Sequence, residues 1–505
     1  MPATTDAPEH LDVLIVGAGL SGIGAAHHLR EAFPWRSFAV LEARDALGGT
    51  WDLFRYPGIR SDSDMNTLGY RFRPWTDAKV VADGPSILRY IEQTASDDGT
   101  DARIRYGHRV VRAEWSSADA RWTVHATRGA DDEPVTLTCS FLWCCSGYYR
   151  YDEGYLPHFE GVERFRGPVV HPQHWPEDLD YAGRRVVVIG SGATAVTLVP
   201  AMAQEAAHVT MLQRSPTYVV SLPAEDRIAV GLRRLLGDRA GYAVTRWKNV
   251  ALTILVYQLS RRRPQFAKRT IRARLERRLP AGYDVDTHFT PRYEPWDQRM
   301  CLVPDGDMFQ AICDGRASVA TDRIATFTET GLLLESGAEL EADVIVTATG
   351  LNMLALGGIG FAVDGREVAL PDTITYKGAM LSGVPNFAVT LGYTNASWTL
   401  KADLVSEWVC RLLAHMDSHG FDACVPVNDD PALPTRPLLD LTAGYVLRSA
   451  GDLPRSGVRP PWSLGASYAH DVVALRHGAI EDGVMRFSRR PHVVATPGTG
   501  VRAAA

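Results

Sequence analysis

LDVLIVGAGLSGIGAAHHLREA, residues 11–32, decides the fold. An apolar strand from Val13 to Val16 runs into Gly17, Gly19 and Gly22, and an Ala-rich helix follows. G-x-G-x-x-G between a strand and a helix is the fingerprint of a dinucleotide-binding unit. Gly17 permits the tight turn, Gly19 lets backbone approach a pyrophosphate, and Gly22 lets helix pack on strand. The helix N-terminus then offers N–H groups to the phosphates. A second apolar segment, FAVLEAR, reaches Glu42. A carboxylate there accepts from ribose hydroxyls and disfavours a 2′-phosphate, so this site reads as FAD rather than NADP.

The pattern returns at residues 184–203, RRVVVIGSGATAVTLVPAMA, with Gly190, Gly192, Thr194 and Ala195 in its turn. No acid follows the next strand; HVTMLQRSPTY places Arg214 and Ser215 there instead. A guanidinium in that register pairs with a 2′-phosphate, so this site reads as NADPH. The alternative, a surface arginine at a strand end, stays open. Two sites of different preference describe a redox machine in which a nicotinamide gives hydride to a flavin. No C-x-x-C is present to make a disulfide the next partner, and oxygen is the natural acceptor.

Between the two sites runs FRGPVVHPQHWP, residues 165–176. Phe165, Gly167, His171, Trp175 and Pro176 meet the pattern F-x-G-x-x-x-H-x-x-x-W-P. The stretch holds no obvious nucleophile and no metal-ligand set, and no metal is expected. Here the chain resembles the type I Baeyer–Villiger monooxygenases, flavoproteins that use a reduced nicotinamide and oxygen to insert an oxygen atom next to a ketone. RYPGIRSDSDM, LQRSPTY, PWDQRMCLVPDGD and GYTNASWTLKADLVSEWVCRLL extend the likeness over nearly the whole chain. It is most similar to the ethionamide-activating branch. Flavin-containing monooxygenases end the related fingerprint with Tyr or Phe where this chain has Trp175-Pro176.

The resemblance implies roles for particular residues. Gly49, Thr50, Trp51 and Val110 join the FAD contacts. Arg299 in PWDQRM stabilises the peroxyflavin anion that attacks the carbonyl, and Asp62, just after R-Y-P-G, tunes that arginine. Gln298 stands where many members have a Lys that assists the 2′-phosphate, which leaves Arg214 to carry the NADPH preference. His171 reads as a hinge or hydrogen-bond anchor between domains. Asn395 and Trp398 face either the flavin or the core. ADVIVTATGL (342–351) is similar to the segment that links the two domains. The implied activity converts ketones to esters or lactones and thioethers to sulfoxides, with a ketone or thioether and O2 as partners. A heteroatom monooxygenase and a membrane-associated NADPH oxidase or redox sensor are the rivals.

The expected architecture is α/β: two doubly wound three-layer dinucleotide-binding domains, for FAD and NADP, with a helical insertion. The FAD domain takes 1–150 and 376–505, the NADP domain 151–220 and 301–375, and the insertion 221–300. The 505 residues, 46% hydrophobic and 22% charged, suit a globular protein of that size. Seven scattered cysteines and no signal segment point to a reducing, cytoplasmic location. The net charge is −6, but residues 227–278 hold fifteen Lys/Arg against two acids. That block surrounds the apolar dozen NVALTILVYQLS (249–260). It reads either as a peripheral contact with an anionic membrane or as a helix packing its apolar face on its own protein. Nothing favours nucleic acid, and the oligomeric state is open.

Overall fold

The computed structural model describes residues 7–298, 300–439, 441–465 and 467–490. Arg299 and the tail after Arg490, expected to be disordered, lie outside the described residues.

Six strands open the chain: β1 (Glu9–Val16), β2 (Phe38–Leu41), β3 (Ile104–Arg105), β4 (His108–Ser116), β5 (Arg121–Arg128) and β6 (Glu133–Cys144). β1 lies between β2 and β6 in parallel register, with Val13 opposite Phe38 and Val16 opposite Cys144. Its Val13, Leu14 and Ile15 are buried on both faces, which is why the run is continuously apolar instead of alternating. β5 pairs antiparallel with both β4 and β6. Phe387–Val389 returns from the far part of the chain to pair with β6, so this sheet draws on both ends of the sequence.

Six helices frame the sites: α1 (Leu20–Ala32), α2 (Ala193–Met202), α3 (Arg227–Leu236), α4 (Asp238–Arg262), α5 (Pro264–Glu276) and α6 (Trp398–His419). α1 and α6 cover one face of the first sheet, where Val13, Ile15 and Trp143 share a core with Leu29, Trp408 and Leu412. On the other face Leu14, Val16 and Trp122 meet Phe361 and Phe387. Each such side chain contributes roughly 1.5–3 kcal/mol when fully buried.

The second sheet is wholly parallel, in the order Ala317–Thr321, His208–Gln213, Arg185–Ile189, Val344–Thr347, Val169–Val170. α2 packs on one face. The third layer is an antiparallel meander, Ile324–Thr328, Gly331–Leu334 and Glu339–Glu341, with Phe165 and Phe327 in the core between.

The crossovers between the sheets form a two-stranded ribbon, Tyr149–Gly154 against Leu351–Met353. The second crossing therefore falls near residue 351, not at 375. Gly360–Val363 and Arg366–Glu367, assigned by sequence to the NADP domain, extend the first sheet beside β4. Those short strands carry no fingerprint, so only pairing reveals their side.

α3 to α5 fill the expected insertion, entered by Val219–Leu222 and left by Cys301–Pro304, which pair in parallel. α4 is pinned to the first domain by Arg246, which is only 5% exposed. Its Nη1 donates to the carbonyls of Asn66, Thr67 and Gly69, and Nη2 reaches Asp403 at 3.4 Å. α4 meets the expectation of packing on its own protein in part: Tyr242, Val250 and Ile254 join the first core, while Val244, Trp247, Leu252, Leu255, Val256 and Leu259 stay exposed. No helix among the described residues is long and apolar enough to cross a membrane.

Candidate functional site

The first cradle is built by close backbone contacts. A Cβ on Gly22 would lie 1.8 Å from the Gly17 carbonyl oxygen, so the turn and α1 meet only through glycine. Gly19 and Gly49 face each other: a Cβ on Gly49 would lie 3.2 Å from the Gly19 Cα. Gly49 holds φ +56°, a left-handed conformation that leads into the short helix Thr50–Leu53. α1 starts at Gly19 with no side-chain cap and no acid in its first turn. That donor set suits a pyrophosphate, since nothing anionic on the chain competes for the helix end.

Glu42, 6% exposed at the end of β2, aims its carboxylate at the same turn. It accepts from the Ala18 N–H at 2.8 Å and the Arg44 N–H at 3.0 Å. Burial pushes its carboxyl above the ordinary range, while those N–H groups pull it back. Thr50 Oγ1 lies 3.3 Å from the Tyr151 hydroxyl, and Trp51 packs on the core beside it. Val110 is buried on β4, on the other side of the sheet from α1. Gly17, Gly19, Gly49 and Glu42 fit a flavin dinucleotide along the β1–α1–β2 edge, whereas the Val110 side chain packs away from it.

The second cradle repeats the logic. A Cβ on Gly190 would lie 2.3 Å from the Ala348 oxygen, whereas one on Gly192 would meet nothing within 4 Å. Ala195 is fully buried against the sheet. α2 begins at Gly192 without a side-chain cap or an early acid. Arg214 and Ser215 are exposed just beyond the strand His208–Gln213. Ser191 Oγ donates to the Ser215 carbonyl and lies 2.8 Å from Thr217 Oγ1. An open helix end beside a guanidinium suits a dinucleotide phosphate.

Two contacts lock the cradles together. His171 lies in the joint between the crossovers: Nε2 donates to the Gly350 carbonyl at 3.1 Å, and Nδ1 accepts from the Gln173 N–H. A Cβ on Gly154 would fall 2.0 Å from its ring, so the opposite crossover strand presses against the imidazole. Phe165 and Trp175 pack into the cores of the second domain, Pro176 follows in the turn, and Gly167 lies where a Cβ would be 2.4 Å from the Asp343 oxygen. The fingerprint residues thus pack at the joint between the crossovers and the second sheet, with His171 held by two hydrogen bonds. The R-Y-P-G loop is the second lock. Tyr56 packs into the second core, its phenol pushed up to about 12 by burial, and Arg60 pairs with Asp307.

Where the parts meet, a cavity of about 1050 Å³ opens. Its lining mixes the apolar Ile254, Tyr257, Trp296 and Met300 with Asp62, Ser63, Asp64 and Asn395, and with charged residues such as Lys79, Asp226 and Lys248. Asn249 on α4 donates to Asp64, which also accepts from Thr67. Trp398 points elsewhere, with its indole N–H on Ser21 Oγ and its ring against Gly392. Gln298 bridges back to Pro295 at the edge of the cavity wall. Arg299 is outside the described residues; its neighbour Met300 lines the cavity.

Four features escape the sequence reading. Arg44, two residues past the ribose acid, pairs with Asp52 and lies over the Tyr151 ring. Trp296 holds φ +73°, a strained conformation for so bulky a residue, and its Nε1 is buried without a partner among the described residues. Arg246 sits in the basic block, where nothing local distinguishes it from its solvated neighbours. His415, His419 and Glu481 bring ligand atoms within 4.8 Å of one another at the far end of α6, remote from the cavity.

Residues 86–355 match the family described as flavin-binding monooxygenase-like, and residues 15–77 match the NAD(P)-binding Rossmann-like domain. The chain is 56% identical over 484 residues to the FAD-containing monooxygenase EthA of Mycobacterium tuberculosis, covering 96% of this chain and 99% of that one. It is 54% identical over 488 residues to EthA of Mycolicibacterium smegmatis, covering 96% and 99%. Its fold is similar to that of an oxidised steroid monooxygenase bound to NADP, with a TM-score of 0.75 at 22% identity over 95% and 100%.

Proposed function

The chain belongs to the flavin-binding monooxygenase-like family, with FAD and NADP as cofactors, and on that premise we propose that it is an NADPH- and oxygen-dependent Baeyer–Villiger monooxygenase. It turns ketones into esters or lactones, and thioethers into sulfoxides.

The observation that carries this reading is the cavity. It lies between the first domain and the helical insertion, and apolar side chains line it together with Asp62, Ser63 and Asn395. A cavity that offers apolar surface and a few polar groups suits a molecule with one carbonyl or sulfur in a hydrocarbon frame. Bound FAD, once reduced by NADPH, supplies the activation of oxygen.

This chain's residues do the rest. The Gly19–Gly49 cradle and the start of α1 hold the FAD pyrophosphate, and Glu42 accepts from its ribose. The start of α2, with Arg214 and Ser215, holds the NADP phosphates. Arg299 supplies a cation beside the carbonyl oxygen as negative charge develops there, a preorganised electrostatic stabilisation. Asp62 positions that cation. Trp296, Met300 and Ile254 keep water away, which strengthens every charge interaction in the cavity.

The test is incubation of the purified yellow holoenzyme with NADPH, oxygen and a panel of linear ketones, cyclic ketones and aryl thioethers. Esters bearing one added oxygen, formed in step with NADPH loss, establish the reading. Sulfoxides without esters replace it with heteroatom oxygenation, and peroxide alone replaces it with an oxidase.

A further inference from the structure

α4 is apolar on both sides: Val250 and Ile254 pack into the first core, while a second set of apolar residues faces water. Its inward face carries Tyr242, Arg246 and Asn249, all engaged in hydrogen bonds to the first domain. Its outward face carries Val244, Trp247, Leu252, Leu255, Val256 and Leu259, exposed by 46, 51, 54, 63, 42 and 43%. These positions follow the helical repeat and run for about 22 Å along the axis at 1.5 Å per residue. α3 packs beside α4 and adds Leu235, 80% exposed, and Ile228, 62% exposed. An apolar stripe of this length facing water marks a docking surface.

The charge around it selects the partner. Residues 227–278 carry a net +13, and the rest of the chain −19. Arg234, Arg239, Arg262 and Arg263 are exposed around the stripe. Two copies of this face would set like charge against like charge, whereas an anionic bilayer offers both hydrocarbon and opposite charge. Ile228, Leu252 and Val256 are exposed and also line the cavity. The docking face and the cavity mouth are therefore the same surface.

We propose that α3 and α4 lie in the plane of an anionic lipid surface and that the cavity takes long-chain apolar substrates directly from the bilayer. The docking half stands on the surface alone; the delivery half rests on the Baeyer–Villiger reading. Basic side chains reach the headgroups while the leucines enter the acyl boundary.

The experiment uses FAD-loaded protein and vesicles of phosphatidylcholine with or without phosphatidylglycerol, at low and high salt. The comparison variant is Leu235→Glu/Leu255→Glu; neither residue lines the cavity, so flavin content and turnover of a short water-soluble ketone stay unchanged. Wild type is expected to sediment with anionic vesicles at low salt and to release as salt rises, with affinity for neutral vesicles at least about tenfold weaker. The variant is expected to lose at least about tenfold in affinity for anionic vesicles, and to lose rate only on a long-chain ketone supplied in them. Absence of sedimentation at low salt, or equal binding by the variant, overturns the proposal. So does lipid-independent self-association that the double variant abolishes, which would make the partner a second copy. Vesicle binding with no oxygenated product from either ketone upholds docking and removes the Baeyer–Villiger reading instead.

Discussion

His171 donates from Nε2 to the Gly350 carbonyl at 3.1 Å, joining two crossovers that lie 179 residues apart in the chain. Burial holds its imidazole below the ordinary 6.5. The neutral ring both donates at Nε2 and accepts at Nδ1; a protonated ring cannot accept from the Gln173 N–H. The unfolded chain therefore takes up the proton more readily. The stability this ring contributes is fully present above pH 6.5 and is lost as pH falls through the lower folded value. Wild type should lose Tm across that window, and His171→Gln should flatten that part of the profile. Equal pH dependence in both proteins would remove the clasp.

Glu42→Ala should weaken retention of FAD. The carboxylate is a charged acceptor, and such hydrogen bonds contribute about 1.5–3 kcal/mol, a loss of roughly 10–100-fold in affinity. The ratio of flavin to protein absorbance after gel filtration checks it. Full flavin content in the variant would mean that Glu42 serves only its backbone partners, Ala18 and Arg44.

Arg214→Ala should raise KM for NADPH by about 10–100-fold, since a lost charge-assisted pair to phosphate is worth a few kcal/mol. KM for NADH should stay put, because NADH has no 2′-phosphate for the guanidinium to meet. Parallel changes with both nicotinamides would point to a general effect on α2 and not to phosphate recognition.

The two cradles are legible in the sequence because their geometry demands a residue type. Gly22 is required where any Cβ would strike the Gly17 carbonyl, and Gly190 where it would strike Ala348. Glu42 and Arg214 follow from fixed register with those turns. The cavity is not legible, because Asp62, Asn249, Trp296 and Asn395 converge from four separate stretches. The same limit hides the second crossover, where Gly360–Val363 chooses its sheet by pairing with β4. α4 misleads for a different reason. Its apolar residues occupy both sides of the helix, and which of them turn inward with Val250 depends on Arg246 finding three carbonyls and Asp403.

Arg246→Met should destabilise the protein. Removing one partner of a buried ion pair costs about 3–5 kcal/mol, because Asp403 is left with a buried charge. Asp403 keeps the Arg71 N–H at 3.0 Å and His28 at 3.4 Å, so the low end of that range is expected. Thermal melting of the holoprotein reads it. An unchanged Tm would mean that α4 is held by its apolar neighbours alone.

Arg299→Ala separates the two halves of the catalytic cycle. On the proposed reading, hydride transfer needs the nicotinamide and flavin brought together, a task that falls to the cradles and the His171 joint. Oxygen insertion needs a cation where negative charge gathers on the substrate, and removing such a preorganised group costs about 10²–10³-fold in rate. The variant should therefore consume NADPH at near wild-type rate, release hydrogen peroxide, and form little ester. Arg299→Lys keeps the charge but lacks the planar fork, so partial recovery of ester is expected. Stopped-flow reduction together with peroxide and product assays distinguishes the steps. Normal ester yield in Arg299→Ala would assign the cation to another residue, and loss of flavin reduction would move Arg299 into nicotinamide binding.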